Sequence, residues 1–213
     1  KNGEAVKTLV DRVTTNHTFF MREAGHFKYF RDVVLPNLTD KIPDKDLRIW
    51  CAACSTGEEA YTLAMLVDDC LKEKKALWDS QILATDISSK VLKAAIRGVY
   101  SKENISPLPP HWKLSYFKRF GEGEYCVIDR IKKEVIYRNF NLMEKFYPFK
   151  KKFHCIFCRN VMIYFDEQTK NELINKLYEY TEPGGYLFIG HSESISRKES
   201  KYKYIMPAVY RKE

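Results

Sequence analysis

The run Leu47-Arg48-Ile49-Trp50-Cys51-Ala52-Ala53-Cys54-Ser55-Thr56-Gly57-Glu58-Glu59-Ala60-Tyr61 constrains the fold more than any other part of the chain. A short apolar stretch ends in small residues and one glycine, and a helical pattern starts at once. Ala60, Leu63, Ala64, Val67, Cys70 and Leu71 follow the i, i+3, i+4, i+7 spacing of a one-sided helix. Glu58 and Glu59 stand in its first turn, where the helix dipole favours acids. Such a strand, tight turn and helix start brings backbone N–H groups to the carboxyl end of a strand, facing a ligand.

The rhythm repeats downstream. Ile82–Asp86 reads as a buried strand, followed by Ser88-Ser89 and a helical run from Val91 to Ile96. Strand, helix, strand, helix predicts a doubly wound, mostly parallel sheet. Pro107, Pro109 and Pro110 close that region, and Gly121-Glu122-Gly123-Glu124 separates aromatic and β-branched runs between Tyr116 and Tyr137. That is a hairpin signal, so a small antiparallel β insertion is expected over about residues 114–137. Val135 to Phe140 resumes the main sheet and ends in Asn141-Leu142, and Phe153–Phe157 ends in Cys158-Arg159-Asn160. Asp166 should cap a helix carrying Leu173, Ile174 and Leu177, which Pro183-Gly184-Gly185 is expected to end. Tyr186 to Gly190 reads as a fifth strand, and Tyr202 to Tyr210 as a strand-like tail.

Ahead of the first strand, Val6, Leu9, Val10 and Val13 have helical spacing, and a second helical stretch runs through Phe27, Tyr29 and Phe30. Leu35 to Asp46, with Pro36 and Pro43, reads as a linker. The expected organisation is therefore a helical segment and arm over residues 1–34 and one α/β domain over residues 35–213. Starting inside a helical pattern without an initiating Met, the chain reads as part of something longer.

The 213 residues are 45% hydrophobic and 30% charged, as expected for one main globular domain. No apolar run approaches a membrane span or a signal core, so a cytoplasmic protein without membrane insertion is expected. The net charge of +8 favours encounter with acidic partners. The clusters at Lys72 to Lys75, Lys132-Lys133 and Lys150-Lys151-Lys152 are too short for nucleic-acid tails and read as solvated surface. Two Cys-x-x-Cys pairs, Cys51/Cys54 and Cys155/Cys158, raise a four-thiolate zinc site. Against it, Ile156 and Phe157 continue a strand, where positions three apart face opposite ways. Buried small hydrophobes are the expected role, and no metal site is assigned.

Polar residues line up at successive strand ends: Ser55-Thr56-Gly57-Glu58, Asp86, Asn141 and Arg159-Asn160. An acid after the second strand accepts hydrogen bonds from ribose hydroxyls and implies a nucleoside. The loop lacks both the Gly-x-Gly-x-x-Gly and the Gly-Lys-Ser/Thr elements, so dinucleotides and nucleoside triphosphates are weakly supported. Glu58 would repel a pyrophosphate and attract an ammonium. S-adenosylmethionine, a nucleoside carrying an amino acid and a sulfonium, fits best.

Four motifs then carry a resemblance. Asn16-x-Thr18-x-x-x-Arg22-Glu23, Ala52-Ala53-Cys54-Ser55-Thr56-Gly57-Glu58-Glu59, Ala84-Thr85-Asp86-Ile87 and Cys158-Arg159-Asn160-Val161-Met162-Ile163-Tyr164-Phe165 together resemble the chemotaxis receptor methyltransferases of the CheR type. The resemblance implies a Rossmann-like class I methyltransferase fold. It also implies transfer of methyl from S-adenosylmethionine to glutamate side chains of the chemoreceptor cytoplasmic domain, leaving S-adenosylhomocysteine. By motif position, Asn16, Thr18, Arg22, Glu58, Asp86, Asn141, Leu142, Asn160 and Val161 would contact the cofactor. Arg22 and Tyr164 would face the methyl group and the incoming glutamate. Ala60 stands where the family commonly has Pro, and the aromatic pair before the arginine is shifted to Phe19-Phe20-Met21.

The chemistry suits this inventory. A glutamate carboxylate is already ionised at neutral pH, so methyl transfer needs alignment and desolvation more than a general base. Arg22 could orient it by a two-pronged hydrogen bond. Blander readings are a surface ion pair for Arg22, core packing for Tyr164 and a helix cap for Asp86. His191-Ser192-Glu193 resembles a hydrolase triad only as a string. Among competing functions, nucleic-acid methylation lacks the Asn/Asp-Pro-Pro-aromatic sequence and a Pro-Cys nucleophile. A non-catalytic cofactor-binding module is disfavoured by Arg22 and Tyr164. A monomer with no nucleic-acid partner is expected.

Overall fold

The computed structural model describes residues 18–196 and 200–213. The helical spacing from Val6 to Val13, and Asn16, lie outside the described residues. Helix α1 (Ala24–Tyr29) passes through a π turn (Phe30–Val34) into α2 (Leu35–Lys41). The expected linker is thus helical up to Lys41. Pro36 falls in the first turn of α2, where a missing N–H costs little, and buried Phe30, Val34, Leu35 and Leu38 supply the apolar face.

Strand β1 (Ile49–Cys51) leads through the Ser55-Thr56-Gly57 turn into α3 (Glu58–Leu71), and β2 (Ile82–Asp86) into α4 (Ser89–Arg97). Then come β3 (Val99–Ser101), short helices α5 (Lys102–Ile105) and α6 (Pro110–Tyr116), β4 (Phe117–Gly121), β5 (Glu124–Val127) and α7 (Asp129–Lys132). The main sheet resumes with β6 (Val135–Asn139), β7 (Phe153–Phe157), α8 (Glu167–Tyr180), β8 (Thr181–Phe188) and the hairpin β9 (Lys203–Met206) and β10 (Val209–Arg211).

The seven-stranded sheet has the order β6-β2-β1-β7-β8-β10-β9. Its first five members run parallel, and the hairpin closes the edge antiparallel. The antiparallel insertion is a separate three-stranded sheet, β3-β5-β4. Its third strand, Val99–Ser101, lies upstream of the residues the hairpin signal marked. Pro183-Gly184-Gly185 does not end α8: the helix stops at Tyr180 and these residues lie inside β8.

Alternation along the strands sorts side chains between two cores. Ile49, Cys51, Cys155, Phe157 and Phe188 join α1 to α3 in one cluster. Trp50, Ile156, Cys158 and Leu187 pack with Leu173, Ile174 and Leu177 of α8 in the other. Cys155 and Cys158 therefore face opposite sides of the sheet. Burial drives the thiols of Cys51, Cys54, Cys155 and Cys158 well above their ordinary pKa. They are core side chains, and Cys158 lies in the other cluster from Cys51, Cys54 and Cys155.

Candidate active site

The parallel topology puts the carboxyl ends of β1, β2, β6 and β7 side by side. After β1 the chain turns through Ser55 (φ 47°) and Gly57 (φ 96°), both left-handed. A Cβ on Gly57 would lie 2.9 Å from the Cβ of Ala95 and from the Tyr137 hydroxyl, and 3.0 Å from the Tyr100 hydroxyl. Only glycine fits that packing and that backbone. The Tyr100 hydroxyl donates to the Thr56 carbonyl at 2.7 Å, so the antiparallel insertion braces the loop.

Asp86 closes the loop from the next strand. Its carboxylate accepts the Ser55 N–H at 2.8 Å and the Ser88 N–H at 2.9 Å. The helix-cap reading fails for Asp86 because Ser88 caps α4, accepting the Val91 N–H at 3.3 Å. Glu58 is 3% exposed, and the Thr56 hydroxyl donates to it at 2.7 Å. Burial raises its pKa, against the pull of that hydrogen bond. A desolvated carboxyl in a helix's first turn is complementary to a cation and hostile to phosphate.

After β7 the chain delivers Arg159 and Asn160, the latter left-handed at φ 59°. The Arg159 side chain is 1% exposed and its guanidinium lies between two carboxylates, Glu59 at 2.5 Å and Glu23 at 3.0 Å. It also donates to the Arg22 carbonyl at 2.5 Å and covers the Phe27 ring. Burial works against the cation, but the two acids outweigh it and raise its pKa. Asn160 adds a bond from its side chain to Glu23 at 3.2 Å. Burial would raise the Glu23 carboxyl, but Arg159 and Asn160 hold it at about 2. Glu193 then fixes the β7 loop by accepting N–H bonds from Asn160 at 3.0 Å, Met162 at 2.6 Å and Gly190 at 2.6 Å.

The arm bearing Thr18, Arg22 and Glu23 is thus fastened to the carboxyl end of the sheet. Thr18, Arg22 and Val161 are half-buried there, and Tyr164 is exposed at the end of the one-turn helix Met162–Tyr164. Asn141 accepts the Met143 N–H at 2.9 Å in its own turn. Leu142 is buried in the α8-side core. Asn160, expected to touch the cofactor, bonds Glu23 through its side chain and Glu193 through its backbone N–H. Glu23, Glu59, Arg159, Glu193 and Tyr100 build the site although the sequence patterns assign none of them to cofactor or substrate. Arg159 was visible as a polar strand end, but its partners lie 100 and 136 residues away in the chain.

A parallel sheet with helices on both faces, an acid after the second strand and a desolvated acid opening the first helix define a Rossmann-like class I methyltransferase. The sequence agrees with known families. The model of the CheR methyltransferase, SAM binding domain, matches residues 16–210. The chain is 45% identical over 207 residues to a chemotaxis protein methyltransferase of Borreliella burgdorferi, covering 96% of this chain and 73% of that protein. It is 37% identical over 210 residues to the chemotaxis protein methyltransferase of Escherichia coli, covering 96% and 70%. Chemotaxis protein methyltransferase 1 of Pseudomonas aeruginosa is 35% identical over 208 residues, covering 96% and 76%. The chain belongs to the CheR methyltransferase family and is an S-adenosylmethionine-dependent methyltransferase of chemotaxis. Among the described residues no helix is long and apolar enough to cross a membrane.

Proposed function

We propose that this chain esterifies glutamate side chains on the cytoplasmic helices of chemoreceptors, acting in the cytoplasm as a monomer. The observation that carries the reading is the buried Arg159 clamp, which holds the Arg22 arm beside the Asp86 and Glu58 loop. The residues suit the cofactor: Glu58 would meet an ammonium and Asp86 a ribose, on a turn that Gly57 lets pack closely against Ala95, Tyr100 and Tyr137. Thr18, Asn141, Leu142, Asn160 and Val161 would complete its surround, with Asn16 from the preceding segment.

S-adenosylmethionine supplies an electrophilic methyl carbon on sulfur. When bound, it would offer that carbon to a substrate carboxylate oxygen, the S–C electron pair leaving with sulfur. No proton moves, so the chain's task is positioning. Arg22 orients the carboxylate by paired hydrogen bonds, and exposed Tyr164 shapes the entrance.

The test incubates the protein with methyl-labelled S-adenosylmethionine and a receptor cytoplasmic fragment, followed by alkali. Esters release volatile labelled methanol. Alkali-stable label, or label on added nucleic acid, overturns the proposal. Arg22→Ala should keep cofactor affinity within about tenfold and lose most transfer; wild-type turnover would remove Arg22 from the mechanism.

A further inference from the structure

We propose that Glu23, His26 and His191 form a site for a divalent transition-metal ion of the zinc type, where the N-terminal arm meets the loop after β8. One ligand atom from each lies within 4.8 Å of the other two. Two imidazoles and a carboxylate are a donor set that zinc accepts, with a further position left for water.

The second observation is the state of His26. It is fully buried, and neither ring nitrogen makes a hydrogen bond of normal geometry. Its Nδ1 lies 3.4 Å from Glu23 Oε2, and the Pro207 carbonyl faces the ring from the β9–β10 turn. A buried imidazole left this way is costly unless something takes up its polarity. The His191 ring packs edge-on against it with centroids 4.4 Å apart, and His191 is exposed, which supplies both a third ligand and an entry path.

Glu23 has room for one more partner. A carboxylate offers about four lone-pair sites. Arg159 Nη2 takes one on Oε2, while Asn160 Nδ2 and the His191 N–H take two on Oε1. The remaining direction on Oε2 is the one that faces His26. Arg159 is the opposing cation, offset by Glu23 and Glu59.

An occupied site would tie α1 to the β8 loop through Glu23. It would fasten the Arg22 arm without entering the methyl-transfer step.

The test titrates the purified chain with Co²⁺ and then Zn²⁺ in a non-chelating buffer, following visible absorption and thermal unfolding. One Co²⁺ per chain is expected, with weak visible bands, no thiolate charge transfer in the near ultraviolet, displacement by Zn²⁺ and a raised Tm. Loss of even an outer partner of a metal ligand typically costs 10–100-fold, so His191→Ala should weaken binding by at least about tenfold and abolish the Tm rise. That substitution keeps the His191 N–H on Glu23 and lies on the surface, so it leaves the fold intact. His26→Gln is the second variant, with the same expected loss. Absence of binding, thiolate bands, or equal affinity in wild type and His191→Ala overturns the site.

Discussion

Two arginines stand at opposite ends of the parallel sheet, each between two carboxylates. Arg48 enters β1 and meets Asp46 at 2.6 Å and Glu182 at 2.8 Å. Arg159 leaves β7 and meets Glu59 at 2.5 Å and Glu23 at 3.0 Å. The Arg48 side chain is 18% exposed, that of Arg159 only 1%. Arg48 also donates to the Lys152 carbonyl at 2.6 Å, and its own N–H donates to His154 Nδ1 at 3.1 Å, so it staples the entry of β1 to the entry of β7. Arg159 instead joins the start of α1, the start of α3 and the end of β7, adding a polar clamp at the rim of the apolar cluster those elements share. A charge is carried into the core where three parts of a site must converge, and left near water where two strands need only keep register.

The largest expected effect breaks this contrast at its buried end. Arg159→Met leaves Glu23 and Glu59 without their cation, a situation that typically costs 3–5 kcal/mol. Chemical denaturation should show a loss of about that size, and methyl transfer should fall at least about 100-fold as the Arg22 arm detaches. Arg159→Lys keeps the charge but not the fork and should recover part of the stability and little of the transfer. Wild-type transfer in Arg159→Met would show that the arm does not depend on the clamp.

Gly57→Ala probes the same end without touching a charge. The new methyl would meet Ala95, Tyr100 and Tyr137 in a left-handed turn, so strain and overpacking together predict a loss of about 3 kcal/mol. Calorimetry should find cofactor affinity lower by at least about tenfold, because the Thr56 carbonyl and Glu58 move with the turn. Unchanged affinity would separate the turn from the cofactor site.

These two positions also show what was legible in the sequence. Ile82–Asp86 is legible to the residue because an apolar run ends sharply in an acid and a capping serine. Gly57 announced itself as the hinge between two periodicities. Leu35–Lys41 reads as a linker because Pro36 and a polar composition outweigh its two buried apolar residues, Leu35 and Leu38, in a local reading. Pro183-Gly184-Gly185 carries a stop signal but lies in β8, at a break in its register with β7 where Gly184 is left-handed at φ 79° and the backbone bonds run to Lys212. Val99–Ser101 is too short to show alternation and exists only because β5 pairs with it. The Arg159 clamp was invisible for a different reason: an arginine after a strand says nothing about acids 100 and 136 residues distant.

Acid should weaken the Arg48 end through His154. Burial and the neighbouring Arg48 charge hold His154 down at about 4, against Glu182, Asp46 and Asp44, which favour its protonation. The unfolded chain binds that proton from about pH 6.5 downwards. Between 6.5 and 4 it therefore holds more protons than the folded chain, and stability falls with falling pH. The full shift corresponds to about 3 kcal/mol, and partial exposure reduces it to about 2. His154→Asn preserves an acceptor at the Nδ1 position for the Arg48 N–H and cannot charge, so its stability should be flatter across that window. An identical slope would assign the titration to other groups.

The smallest effect is expected at Arg48 itself. Arg48→Met leaves Asp46 still paired with Lys151 at 2.6 Å, and leaves Glu182, whose side chain is 29% exposed, free to hydrate. Pairs of this kind are worth about 1 kcal/mol or less. Melting should shift by a few degrees and methyl transfer at saturating cofactor should match wild type. The two arginines have similar partners in similar number, so counting ion pairs would rank their variants equally. If Arg48→Met instead matched Arg159→Met in either stability or transfer, burial would not be what separates the two ends. The site would then depend on the register of the whole sheet, because an unstapled β1 could pull the Ser55-Thr56-Gly57 turn away from Asp86.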